Sequence, residues 1–198
     1  MKKSENADRS EKLTWRAGNM LYPTPAVMVS CAREGERPDI ITIGWTGTVC
    51  SDPAMVSISV RPSRYSHDLI QESGEFVVNL VPQALVRAAD WCGVRSGRDY
   101  DKFQEMHLTE ETAAKLKTAP LIAECPVNIE CTVTQVIPLG SHDMFLGKVE
   151  AVDVDAKYLD EKGKFDLDAA GIIVYSHGEY FGPGKKLGTF GYSVRKKK

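Results

Sequence analysis

Two arginines, two serines and a tyrosine stand together between a predicted strand and a predicted helix, in the stretch SVRPSRYSHDLI at residues 59–70. The first N–H groups of a helix have no intrahelical partner and attract anions, and an arginine can hold a phosphate through two parallel hydrogen bonds. A capped helix with solvated arginines is the alternative. The candidate anion donors are Arg61, Ser63, Arg64, Tyr65 and Ser66.

The stretch TGTVCSDPAM at residues 46–55 is predicted to be a loop of small residues between two strands. Small side chains let a flat ligand approach the backbone, whose N–H and C=O groups can then bind its polar edge. A wide turn without a ligand is the alternative. The small residues that would border such a ligand are Thr46, Gly47, Thr48, Cys50 and Ser51.

A third segment with suitable donors is SGRDYDKF at residues 96–103, where Ser96, Gly97, Arg98 and Lys102 could contact a second anionic or polar group. An exposed loop with an aspartate that caps a helix is the alternative.

Two single residues are further candidates. Asn79 interrupts an apolar strand, where an amide without hydrogen bonds is unfavourable, so it serves either the structure or a ligand. His142 lies in a turn that enters a strand, and a surface histidine is the simpler interpretation. The histidines and cysteines form no metal-like cluster and no C-x-x-C motif, so we expect no metal site.

The elements that must position these residues are mostly strands. Residues 54–60 alternate apolar and polar side chains, which is the pattern of a half-buried strand. The other predicted elements are a hairpin at 25–46, strands at 75–81, 127–138, 143–155 and 171–177, a helix at 66–73 with Ser66 as its N-cap, a helix at 84–92, and partly helical stretches at 99–106 and 110–116. Because the strand–helix–strand rhythm of a doubly wound sheet is missing, we predict a mainly β fold, a closed or nearly closed antiparallel barrel with peripheral helices.

Composition limits the partners. The chain has 198 residues and a net charge of −2, which gives no general electrostatic case for nucleic acid or anionic membranes. No apolar run is long enough to span a membrane and no signal peptide is visible, so we expect a cytoplasmic protein with five reduced cysteines. We divide the chain into a flexible lead-in at 1–17, one domain at 18–192 and a basic tail at 193–198.

The ordered combination of these motifs resembles the flavin reductase-like family, the FMN-binding split β-barrel proteins that include the flavoredoxins. The matching stretches are NMLYPTPAVMVSC, TIGWTGTVCSDPAMVSISVRPSRYSHDLI, FVVNLV, SGRDYDKF and SHDMFLGKVEAV, and they span roughly residues 18 to 192. The resemblance implies a six-stranded antiparallel Greek-key split barrel that forms a homodimer, with FMN in a groove near the subunit interface.

The resemblance also assigns roles to residues. Thr46, Gly47, Thr48, Val49, Cys50 and Ser51 would line the isoalloxazine ring, largely through backbone groups. Arg61, Ser63, Arg64, Tyr65 and Ser66 would hold the phosphate, and Asn79, Ser96, Gly97 and Lys102 would complete the pocket. His142 matches a position close to the flavin or its reductant.

Three functions stay open at this point. The first is an oxidoreductase that takes hydride from NADH or NADPH through FMN, or less favourably FAD, since the flavin itself supplies the chemistry. The second is a flavoredoxin-like electron carrier that passes electrons to a redox partner protein and has no nicotinamide site. The third is a non-catalytic module that binds another ligand.

Overall fold

The computed structural model describes residues 12–194, so the first 11 residues of the predicted lead-in and residues 195–198 of the predicted tail lie outside the described residues. Its strands are β1 (Thr24–Pro25), β2 (Val27–Cys31), β3 (Asp39–Ile43), β4 (Thr46–Ser51), β5 (Ala54–Val60), β6 (Glu75–Leu80), β7 (Glu110–Glu111), β8 (Leu121–Ile122), β9 (Val127–Pro138), β10 (Asp143–Val154), β11 (Val174–Ser176) and β12 (Glu179–Phe181). Its helices are α1 (Tyr65–Ser73), α2 (Val86–Val94), α3 (Lys102–Glu105) and α4 (Leu167–Ala170), with 3₁₀ turns at Gln83–Leu85, Ala156–Tyr158 and Tyr192–Val194.

The main sheet is antiparallel and has seven strands in the order β3-β2-β6-β9-β10-β5-β4. Its two edge strands, β3 and β4, are consecutive in the chain and are separated only by Gly44 and Trp45. Because consecutive Cα atoms are about 3.8 Å apart, so short a connection forces the two edges together. The sheet therefore curls into a split barrel, and the backbone N–H of Ser59 on β5 donates to the Trp45 carbonyl across 2.9 Å. This confirms the predicted mainly β split barrel with peripheral helices.

The barrel has seven strands in place of the predicted six because the prediction of a loop over residues 46–55 is wrong. Thr46–Ser51 is the edge strand β4, which pairs with β5 from Thr46 opposite Ile58 to Ser51 opposite Ala54. Backbone hydrogen bonds hold this strand in place without large side chains. Its small residues therefore lack the apolar pattern from which a strand is predicted.

The predicted helix at 110–116 is also wrong. Glu110–Glu111 form the short strand β7, and the chain after them is held by buried or half-buried carboxylates. The Glu130 carboxylate accepts from the N–H groups of Ala114 and Lys115 at 2.7 and 2.7 Å, and Glu75 accepts from Thr118 N at 2.9 Å. These carboxylates hold the backbone in a non-helical path.

Two other helix predictions change at their ends. The stretch predicted as partly helical at 99–106 contains only the single turn α3 (Lys102–Glu105), capped by Asp101. Helix α1 begins at Tyr65, so Ser66 lies inside its first turn and is not its N-cap; the N-cap is Arg64, which makes no side-chain capping bond.

Strand β3 separates the two parts of the core that matter for the site. Ile41 and Ile43 join the cluster inside the barrel, whereas Ile40 packs in a second cluster with α2 and α3. Asp39 has the same parity as Ile41, so period-2 alternation places a carboxylate on the inner face at the start of the strand. Among the described residues, no helix is long and apolar enough to cross a membrane.

Candidate functional site

A cavity of about 130 Å³ lies where α1 begins, beside the start of β3 and the end of α2. We call it the anion cavity, and its lining includes seven of the residues predicted from the sequence: Ser63, Arg64, Tyr65, Ser66, Ser96, Gly97 and Lys102. Tertiary structure thus brings together two segments about thirty residues apart. Helix α1 has no side-chain cap, so the backbone N–H groups of Tyr65 and Ser66 can bind an acceptor in this cavity, whereas His67 N donates to the Arg64 carbonyl at 3.1 Å.

The buried floor of the anion cavity contains an ion pair that sequence reasoning missed. Lys102 Nζ lies 3.0 Å from Asp39 Oδ1, and both side chains are almost fully buried. Nζ also donates to the backbone carbonyls of Ile40 at 2.5 Å and Cys92 at 3.2 Å. Lys102 therefore braces β3 against α2 with its charge balanced by Asp39, and it contributes little free positive charge to the cavity.

Asp39 also determines what Ser66 can do. Ser66 Oγ donates to Asp39 Oδ2 across 2.5 Å, so its single hydroxyl proton is already used. Ser66 can then offer a ligand its backbone N–H but not its O–H. Asp39 Oδ1 lies 3.0 Å from Lys102 Nζ, so both oxygens of this buried carboxylate are already engaged by the protein.

Gly97 is required by the close approach of three segments. A Cβ atom added there would lie 2.2 Å from Asp39 Oδ1 and 2.8 Å from Tyr65 Cδ1. Its carbonyl accepts from Arg37 Nη2 at 2.7 Å, which fixes the turn. Any side chain at this position would displace the carboxylate or the tyrosine that line the cavity.

Arg95 lines the anion cavity beside Arg64, although no sequence motif indicated it. It follows the end of α2, and its guanidinium lies 5.7 Å from the centre of the Tyr100 ring. By contrast Arg98, a sequence candidate, is held outside by Asp68, whose Oδ2 accepts from Nη2 at 3.1 Å. The cations available to a ligand in the cavity are therefore Arg64 and Arg95.

The structure places Asn79 away from the cavity, in the core of the sheet. Its Nδ2 donates to Met28 O and Ser30 Oγ at 2.9 and 3.0 Å, and its Oδ1 accepts from Ile122 N and from Asn128 Nδ2. Its hydrogen-bonding capacity is thus used to join β2, β6, β8 and β9.

Arg61 and His142 lie together at a different place from the anion cavity. Residues 143 and 60 are paired in the ladder between β10 and β5, which brings the residues just outside those strands close together. Partial burial, and then the positive charge of Arg61, hold the pKa of His142 below its usual value. His142 Nδ1 is 2.9 Å from Ser141 Oγ. His142 is therefore favoured in its neutral form.

The remaining predicted residues form the edge strand β4. Among the described strands it pairs only with β5, so one row of its backbone N–H and C=O groups faces away from the sheet. Thr48, Val49 and Ser51 are exposed, and Cys50 is half-buried. The other four cysteines are buried, and burial raises the pKa of Cys92 and of Cys131 to about 12, which keeps these thiols protonated.

A second cavity of about 320 Å³, which we call the aromatic cavity, adjoins the first. Gly93 lines both cavities. On β3, Ile41 lines the anion cavity and the next residue, Thr42, lines the aromatic cavity. The walls of the aromatic cavity include Trp45, Tyr175 and Tyr180, and Asp90 lies among its lining residues. The described residues contain no group of three or more His, Cys, Asp or Glu that could hold a metal ion.

Comparison with known proteins gives consistent matches over most of the chain. Residues 19–184 match the family model described as flavin reductase like domain. The structure superimposes on flavoredoxin of Desulfovibrio vulgaris (Miyazaki F) with a TM-score of 0.87 and 29% identity, covering 93% of this chain and 100% of that one.

Two sequence relatives extend this comparison. An uncharacterized protein of Archaeoglobus fulgidus is 30% identical over 161 residues, which cover 81% of this chain and 88% of the relative. An NADPH-flavin oxidoreductase of Streptomyces viridifaciens is 24% identical over 143 residues, 72% of each chain.

Proposed function

Because this chain belongs to the flavin reductase-like family, we propose that it binds FMN and transfers hydride or electrons from NADH or NADPH through it. The observation that carries the proposal is the anion cavity at the start of α1, where free helix N–H groups and two arginines converge. A volume of about 130 Å³ is too small for a whole cofactor but suits a phosphate group.

The donor set of the anion cavity fits the phosphate end of FMN. Arg64 and Arg95 would supply charge, and the backbone N–H of Ser66 would supply a hydrogen bond, while Lys102 stays paired with Asp39. Ser63, Tyr65, Ser96 and Gly97 complete the wall around this end, and the lack of a Cβ at Gly97 lets Asp39 and Tyr65 pack against it.

The open edge of β4 supports the assignment of Thr46–Ser51 to the isoalloxazine ring. An unpaired strand edge presents backbone donors and acceptors in a fixed row, and the ring carries alternating acceptors and donors along one side. N–H groups in such a row stabilise negative charge that develops on a ligand. FMN, when bound, supplies the ring that accepts and releases hydride or electrons. We propose FMN in preference to FAD.

His142 belongs to the proposed site as a group close to the flavin or its reductant. Partial burial, and then the positive charge of Arg61, lower the pKa of His142, so the imidazole would act there as a neutral hydrogen-bonding group. Asn79 is not part of the proposal, because its amide is used within the sheet.

A flavoredoxin-like carrier is the second candidate function. The likeness to flavoredoxin over 93% of this chain favours it. In that role the protein would pass electrons to a redox partner protein and would need no nicotinamide site. For either role we propose a cytoplasmic homodimer.

The test uses the purified protein loaded with FMN. Tight binding with a visible flavin absorbance band is expected, and its absence after FMN addition would reject both candidate functions in favour of a module for another ligand. Anaerobic stopped-flow mixing with NADH and with NADPH then separates the two. Bleaching of the band by either donor at a catalytically useful rate supports the oxidoreductase, and no bleaching by either supports the carrier.

A further inference from the structure

The aromatic cavity contains a prearranged set of rings outside the anion cavity. The ring centres of Tyr175 and Tyr180 are 5.7 Å apart in an edge-on arrangement. The Tyr22 ring packs between two of the cavity's rings, with its centre 6.1 Å from that of Tyr175 and 6.0 Å from that of Trp45. Rings that pack on one another in this way keep their positions, so the cavity does not depend on a ligand to form.

Small residues leave space between these rings. A Cβ added at Gly44 would lie 3.5 Å from Tyr175 Cδ1, and one at Gly93 would lie 3.2 Å from Thr42 Cβ. Gly178 also lines the cavity, at the turn between β11 and β12. A volume of about 320 Å³ is within the usual range for small-molecule pockets. The shape thus suits a flat ring.

One carboxylate gives the cavity its polarity. Tyr180 Oη donates to Asp90 Oδ1 at 3.3 Å, which orients the carboxylate and leaves Oδ2 for another donor. Burial, and then the charge of Asp90, raise the pKa of Tyr180 to about 12, so its hydroxyl remains a donor at neutral pH. A ligand in this cavity would therefore meet a hydrogen-bond acceptor with a negative charge.

From this arrangement we propose that the aromatic cavity binds a second planar ring, beside the flavin, that carries an N–H or O–H donor directed at Asp90. The inference rests on the proposed function only for the flavin in the neighbouring site. The flavin ring itself suits this cavity poorly, because a reduced flavin gains negative charge that Asp90 would repel, whereas the free N–H groups of β4 would stabilise it.

The test compares two inert probes of the same shape. Benzamide has a planar ring with N–H donors, and benzoate replaces them with a carboxylate that Asp90 repels. Each is titrated into FMN-loaded protein, and binding is followed by two-dimensional NMR at the amides of Gly44, Gly93 and Gly178. We expect saturable shifts with benzamide and roughly fivefold weaker binding of benzoate, the scale expected when a contact with an exposed carboxylate is replaced by repulsion from it.

Variants identify the carboxylate as the cause. In Asp90→Asn the side-chain amide can donate to benzoate, so the preference for benzamide should fall to about twofold or less. The matched control Glu179→Gln removes an exposed charge from β12, next to Tyr180, at a residue that does not line the cavity, and it should keep the wild-type preference. Tyr180→Phe frees Asp90 from its anchor and should weaken benzamide while retaining the preference over benzoate.

Three results would overturn the inference: no saturable shift at the three glycines, equal binding of both probes, or release of FMN by benzamide, which would make this the flavin's own pocket. The same titration on flavin-free protein separates the two proposals. If the protein takes up no FMN but benzamide still shifts the three glycine amides, the proposed ring site is supported and the proposed function is rejected.

Discussion

Ser66 Oγ donates to Asp39 Oδ2 across 2.5 Å, and this contact joins the first turn of α1 to the start of β3 at the floor of the anion cavity. The two residues are separated by 27 positions in the chain. Because its hydroxyl is bonded to Asp39, Ser66 has a structural role and its side chain is not a ligand donor. The same contact holds a buried carboxylate next to the proposed anion site. Lys102 makes this possible, because it balances the charge of Asp39.

Replacing Ser66 with alanine should therefore lower stability more than it lowers FMN affinity. The change leaves Asp39 Oδ2 without its donor, which should reduce the free energy of unfolding by about 1–3 kcal/mol in urea denaturation. The backbone N–H of residue 66 remains, so the FMN dissociation constant should change by less than about threefold. A loss of FMN affinity as large as that of Arg64→Ala would contradict this assignment.

Arg64→Ala should weaken FMN roughly tenfold or more, because it removes a charge-assisted hydrogen bond to the phosphate. Riboflavin lacks the phosphate, so its affinity should be almost unchanged. Both dissociation constants can be measured by quenching of flavin fluorescence. Arg87→Ala, which removes an exposed arginine of α2 that lines neither cavity, is the matched control and should leave both constants unchanged. Equal losses for the two flavins would show that Arg64 does not bind the phosphate.

Gly97→Ala should damage both the fold and the site. The new methyl group would lie 2.2 Å from Asp39 Oδ1, which cannot move away without breaking its contacts with Ser66 and Lys102. We expect a loss of about 1–3 kcal/mol in the free energy of unfolding and weaker FMN binding. Gly184→Ala is the control, since nothing lies within 4 Å of a Cβ at that position. Equal behaviour of the two variants would rule out this close packing.

Arg61→Gln should raise the pKa of His142, since it removes a positive charge that now opposes protonation. The pKa can be read from the pH dependence of the imidazole NMR signals. Because the folded chain binds a proton at His142 less tightly than the unfolded chain does, this group favours folding less as the pH falls through its titration range. The variant should reduce that effect. An unchanged His142 titration would mean that the two side chains do not interact.

Thiol reagents should modify Cys50 before any other cysteine of the native protein. Cys50 is half-buried on the open edge of β4, whereas the other four are buried and burial raises the pKa of each. A reagent such as DTNB should give one fast thiol per chain, and Cys50→Ser should abolish that phase. Bound FMN should slow it if the flavin ring covers β4. A fast phase that persists in Cys50→Ser would contradict the burial pattern.

The sequence alone was enough for the type of fold and for the location of the anion donors. Period-2 alternation at 54–60 predicted β5, and the proline and arginines after it predicted a helix start suited to an anion. These signals are local, because strand alternation and helix initiation depend on neighbouring residues. The strand at Thr46–Ser51 escaped prediction because its small residues show no alternation and its pairing with β5 supplies the order.

Only the tertiary structure decided which candidates can reach a ligand. In the folded protein, the Asn79 amide is hydrogen-bonded within the sheet, and Lys102 is paired with Asp39. Arg98 is paired with Asp68, whereas Arg95, which no motif had indicated, lines the cavity. The sequence by itself determined the residue types and the local elements, since these follow from short-range backbone and side-chain preferences. The availability of each polar group depends on long-range partners, because a buried donor or charge must first be satisfied by whatever the fold places beside it.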